Sequence, residues 1–278
     1  RGCRDRHGRY DARMVSSSAG LSGSINLPQA RLCVGITGHR FSNPVFASNH
    51  SAIEAALDSI LDVLDSVVAG KGDAIAPTRL HSLLAHGADL LAVERAQARS
   101  WDIIAPLPFG LSLNAAINAN PETEADALAI LAGVRPECSD TAGRADHIRH
   151  LASQARCFEL AEQDDVIAQH YLDMLRAPDD PAAALAFATL SSERVASAGR
   201  IMIEQSDVLI AVWDGVTPGA TGGTRHTIAA ALAHGSPVIW IDAGNPENWT
   251  ILRTPEALFA KPSGHPPQQI AELIDELL

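Results

Sequence analysis

Three short stretches carry the residue types that hold a charged small molecule, and each follows an apolar run. Thr37-Gly38-His39-Arg40 comes after Arg31–Ile36, and Gly87-Ala88-Asp89 comes after Arg79–Ala85. Asp214-Gly215, with the glycine-rich loop Gly219–Thr224 behind it, comes after Val208–Trp213. The chemistry on offer is anion binding. Glycine lets a backbone approach a phosphate closely, and the first N–H groups of a helix, at the positive end of its dipole, favour negative charge. Gly222-Gly223-Thr224 stands at such a start, since a helical pattern built on Ile228, Leu232 and the alanines between follows it and stops at Gly235. Arg40 suits a bidentate phosphate contact or, just as well, a surface carboxylate. Asp89 is either a first-turn acid favoured by the dipole or a partner for a ribose hydroxyl. Taken singly, His39 reads as a structural hydrogen-bonder and Gly222-Gly223 as a flexible turn.

The elements that must position these residues read as alternating strands and helices. Val208–Trp213 is apolar throughout, as a strand buried on both faces should be, and Pro237–Ile241 is a second such run. With the glycine loop and helix between them they form a βαβ unit, whose strand-to-helix junction is where open α/β sheets bind ligands. Further strands are expected at Arg31–Ile36, Arg79–Ala85 and Ile103–Leu107. An amphipathic helix is expected over Ser48–Val68, where Ile53, Leu57, Ile60, Leu61, Leu64 and Val68 recur at helical spacing. The middle of the chain is looser. Asn114–Asn120 is polar, Glu122–Leu131, Ala145–Ala155, Asp164–Arg176 and Pro181–Gln205 read as helices, and Arg156–Leu160 as a short strand. Such a section suits a lid beside the sheet. Ala257–Ala260 is a short run, and Pro267–Leu278 reads as a final helix.

Composition removes several classes of function. The 278 residues carry a formal charge of -12 with their basic residues dispersed, whereas a duplex nucleic-acid binder shows a basic stripe. Cys3, Cys33, Cys138 and Cys157 are scattered, which fits a reducing compartment. No apolar run reaches membrane-spanning length and no hydrophobic signal segment is present, so a cytoplasmic location without membrane contact is expected. His147 and His150 share a helix face near Cys138 and Cys157, but without tight Cys-x-x-Cys spacing no metal is expected, and no cofactor either. Residues 1–29, charged and then Ser/Gly-rich, read as a disordered tail, from upstream of a start at Met14 or left from expression.

Taken together, Val34–Arg40 (VGITGHR), His86–Asp89 (HGAD), Ile104–Phe109 (IAPLPF), Ala198–Arg200 (AGR) and Ser206–Ile241 resemble the SLOG superfamily. This Rossmann-like group contains LOG-type phosphoribohydrolases, DNA-processing proteins of the DprA type, and ligand-sensing domains of TRPM channels and bacterial defence proteins. The resemblance implies one pocket for a nucleotide or nucleotide-derived, ADP-ribose-like ligand, lined by Thr37, Gly38, His39, Arg40, Gly87, Ala88, Asp89, Asp214, Gly215, Gly222, Gly223 and Thr224. The N-glycosidases among these proteins and the similar deoxyribosyltransferases carry a glutamate three residues after the Gly-Thr pair. Here that position is Thr227. A hydroxyl cannot replace a carboxylate at a developing cation, so a binding and sensing domain is expected ahead of an enzyme. The alternative, an N-glycoside hydrolase or transferase acting on nucleoside monophosphates, needs Asp214 or Asp89 as its acid. Single-strand DNA binding of the DprA kind runs against the acidic balance. The expected fold is α/β, a Rossmann-like three-layer α/β/α sandwich spanning 30–278 with a mainly parallel sheet and a helical insertion at about 111–200. Any output runs through self-assembly or a separate effector protein.

Overall fold

Seven strands form one sheet in this computed structural model, which describes residues 29–259 and 267–278. In chain order the elements are β1 (Ala30–Gly38), α1 (Pro44–Ser48), α2 (His50–Gly70), β2 (Ile75–His81), α3 (Ala88–Ala98), β3 (Asp102–Leu107), α4 (Leu111–Ala119), α5 (Glu124–Leu131) and α6 (Ser139–Ser153). They continue as β4 (Arg156–Glu159), α7 (Asp164–Arg176), α8 (Pro181–Glu204), β5 (Val208–Trp213), α9 (Thr224–His234), β6 (Val238–Asp242), β7 (Trp249–Leu252) and α10 (Pro267–Leu277). The strand order is β4-β3-β2-β1-β5-β6-β7, and every pairing is parallel except β6 with β7. The expected tail lies outside the described residues except for Gln29, as does Ala260 of the expected Ala257–Ala260 run. Residues 255–259 form a 3₁₀ turn.

Alternation along the strands makes the three layers. In β5 all six residues are buried; Val208, Ile210 and Val212 join the core under α2, α3 and α10, while Leu209, Ala211 and Trp213 pack beneath α8 and α9. Strand side chains point to opposite faces in turn, so one apolar run serves both cores. Burying each of its valine, leucine and isoleucine side chains contributes roughly 1.5–3 kcal/mol.

One feature of the middle section departs from the sequence expectation. The stretch over Asn114–Asn120, read only as polar, lies largely in α4, whose Leu113, Ala115, Ala116, Ile117 and Ala119 are buried. The asparagines masked an apolar face. The short strand expected over Arg156–Leu160 is β4, which adds to the sheet edge beside β3. Within this section α4 and α8 contribute Asn114, Asn118 and Val195 to the wall of the cavity described next.

Candidate ligand-binding site

The helices that follow β1 and β5 pack on opposite faces of the sheet, so the two chain segments leave the paired strand ends in different directions. Their register pairs Gly38 with Val212, and beyond it opens a cavity of about 370 Å³. In open α/β sheets this switch point is where ligands sit. The cavity wall includes Thr37, Gly38, His39, Arg40, Asp89, Gly222, Gly223 and Thr224 of the expected set, together with Asn114, Asn118, Val195 and Arg225.

Glycines bring the junctions together. Gly87 has φ +144°, and a Cβ there would lie 2.3 Å from the His39 carbonyl oxygen. That closeness lets the Ala88 amide donate to His39 O at 3.1 Å and the Phe41 amide to His86 O at 3.1 Å. A Cβ on Gly38 would meet Ala88 Cβ at 2.5 Å. Gly87 and Ala88 therefore shape the site from behind and are absent from the cavity wall. Gly222, with φ +74°, packs against the backbone of α8 at Ser192 and Ala196.

The N–H groups of the glycine loop divide into used and open ones. The Gly223 amide donates to Ala220 O (2.9 Å) and the Gly222 amide approaches His226 Nδ1 (3.4 Å). Thr227 donates from its amide and hydroxyl to Gly223 O (3.0 and 3.1 Å). Gly223 is the N-cap of α9 and no side chain caps that helix. The amides of Thr224, Arg225 and His226 thus have no partner within the helix. The contrast with α4 is plain: the Gly110 amide is closed by Asp164 Oδ2 (2.6 Å) and the Leu111 amide by Glu159 Oε1 (3.1 Å). The open N–H donors on this loop are those of Thr224–His226, two residues beyond the Gly222–Thr224 set that the sequence suggests.

Arg40 faces the same space. Its exposed surface opens onto the cavity, and among the described residues its guanidinium makes neither a hydrogen bond nor an ion pair. Crowding by protein lowers its pKa from the usual arginine value, against the opposing pull of Asp89 and Tyr171. Arg225, exposed on the cavity rim, also lacks an ion pair among the described residues.

No family model, curated protein or solved structure matches this chain. The site must therefore be read from its own chemistry. Its acids are mostly committed. Asp214 accepts from the amides of Val216 (3.1 Å) and Thr217 (2.8 Å) and from the Thr217 hydroxyl. Burial alone would raise its pKa, but these bonds and nearby His39 outweigh that and hold it at about 2. His39 Nε2 lies 3.0 Å from the Asp214 amide and 3.3 Å from its Oδ1, so the histidine positions this turn. Asp214 and Gly215 stand off the cavity and line a separate depression with Val216 and Trp240. Asp89 is the acid on the cavity wall. Burial pushes it up to about 6, even though it accepts from the Leu83 amide (3.1 Å), the Ser82 hydroxyl (3.2 Å) and the Ala85 backbone. The loop it holds contains Leu84, fully buried with φ 54°, a strained conformation of the kind stored at functional sites.

Sequence reasoning missed the asparagines. Asn114 and Asn118, one helical turn apart on α4, are buried on the cavity wall. Asn118 Nδ2 donates to Asn114 O (2.9 Å), and Asn114 Nδ2 has no partner. The signal was their i, i+4 spacing within a run otherwise apolar.

Among the described residues no three His, Cys, Asp or Glu side chains come together to hold a metal. His147 lies 2.8 Å from Glu94, and His150 contacts Gln154. No helix among the described residues is long and apolar enough to cross a membrane.

Proposed function

We propose that the chain is a binding module for a nucleotide or a nucleotide-derived, ADP-ribose-like ligand, as its resemblance to the SLOG superfamily implies. The observation that carries this reading is Arg40, an unpaired guanidinium sharing a cavity with the uncapped start of α9. A phosphate between them accepts from Thr224–His226 and from the arginine fork. The buried asparagines offer neutral donors and acceptors for the sugar or base. The test is calorimetric titration with a panel of phosphorylated nucleosides. Sub-millimolar binding of at least one is expected, and a folded protein that binds none overturns the reading. Gly223→Asp puts a carboxylate at the N-cap, where it bonds the α9 amides itself. That variant should stay folded and lose binding.

A second reading, N-glycoside cleavage, retains one specific support. Asp89 is a carboxyl on the cavity wall with a pKa near 6, in the range of tuned catalytic acids. Thr227 cannot serve, because its hydroxyl is bonded to Gly223 O. Release of free base from nucleoside monophosphates, abolished in Asp89→Asn, would establish this activity. No release across the panel leaves binding alone.

A further inference from the structure

Behind Arg40 the cavity continues into a second pocket of about 220 Å³, and Arg40, Ser42 and Asn118 line both. Its other walls include His86, Arg144 and Glu122. Arg144 reaches from α6 to the end of α4, donating from Nε to Ala119 O (2.6 Å) and from Nη2 to Asn120 O (3.3 Å) and Thr141 Oγ1 (3.2 Å). All three acceptors are neutral. The helix C-terminus offsets part of its charge, but neither Arg40 nor Arg144 forms a close ion pair with a carboxylate among the described residues, and Asp89 acts on Arg40 only at longer range. Glu122, on the wall, forms no ion pair with either. This is unusual in a chain whose 33 acids outnumber its 21 lysines and arginines.

His86 lines the same pocket as the two cations, its ring 5.5 Å from that of Phe41. Burial lowers its pKa most, and Arg144, His147 and Arg40 lower it further, to about 4. His147 is itself paired with Glu94. At neutral pH the pocket therefore presents two guanidinia beside a neutral imidazole.

We propose that this pocket is a second anion site, and that the molecule filling the cleft carries negative charge at two points, as a nucleoside bisphosphate does. The pocket stands on its own lining, and only the claim that one ligand spans both sites rests on the nucleotide reading above. An anion bound between the guanidiniums favours the protonated imidazole. The experiment follows the His86 ring by NMR, titrating pH in inorganic phosphate against chloride at matched ionic strength. Phosphate should raise the His86 midpoint by about one unit or more. The rise should persist in Gly223→Asp, where the first seat is plugged, and vanish in Arg144→Gln. A midpoint unmoved in the wild type overturns the proposal, as does a rise lost in Gly223→Asp or kept in Arg144→Gln. If Arg144→Gln does not fold, the wild-type and Gly223→Asp titrations still decide, and Arg144→Lys should keep a weakened response. For the spanning claim, adenosine 3′,5′-bisphosphate should bind at least about tenfold tighter than adenosine 5′-monophosphate, the scale of one added charged contact, and Arg144→Gln should erase the difference. Equal affinities refute spanning. Failure of the nucleotide reading looks different: phosphate still moves His86, while neither nucleotide shifts the Thr224 and Arg225 amides.

Discussion

Arg40 is exposed at the cavity, and its guanidinium makes no hydrogen bond or ion pair among the described residues, only the longer-range attraction of Asp89 and Tyr171. Arg40→Met should therefore leave the melting temperature unchanged or raise it, while nucleotide affinity falls about 10- to 100-fold, the scale of charged hydrogen bonds. Parallel melting and titration curves check both halves. Asp89 makes the second residue-scale prediction. Its folded pKa near 6 lies above the unfolded value of about 3.9, so the native state binds more protons between those limits. The stability it contributes is fully present below about pH 4 and is lost as pH rises through 6. Urea midpoints across that window should fall for the wild type relative to Asp89→Asn; parallel profiles would contradict this. Both residues were legible in the sequence because each closes an apolar run. Asn114 was not, because its amide counts as polar wherever it stands and only packing shows it buried and unpartnered.

At the scale of elements, glycines decide how near the loops come to one another. In Gly87→Ala the new methyl meets the His39 carbonyl, at a backbone angle that side chains avoid. A loss above about 2 kcal/mol is expected, read by denaturant melts, and the resulting shift of Arg40 should weaken any ligand too. The sequence could place Gly87 and Gly222 at junctions but could not separate a glycine that faces a ligand from one that faces its own backbone. The distinction lives in contacts between segments far apart in the chain. Strands such as β5 were legible since six apolar residues in a row leave few alternatives. The four-residue β7, pairing antiparallel at the edge, was not read, because half its residues are only partly buried and an Asn/Pro turn precedes it.

For the whole molecule, strand order sets the site, and order is invisible to periodicity. Only with β5 beside β1 do Arg40 and the start of α9 face one space. The chain's charge of -12 repels an anion at long range, whereas the local donors attract it. Raising ionic strength from about 0.01 to 0.15 M should then speed nucleotide association, because salt screens the distant charges first. Stopped-flow rates that fall with salt would show steering by a positive field instead. The most direct measurement of the anion seat is amide NMR during titration with adenosine 5′-monophosphate. The largest shifts should fall at Thr224, Arg225 and His226 and disappear in Gly223→Asp. Shifts clustered instead at the depression beside Trp240, or none at those three amides while the ligand binds, would contradict it.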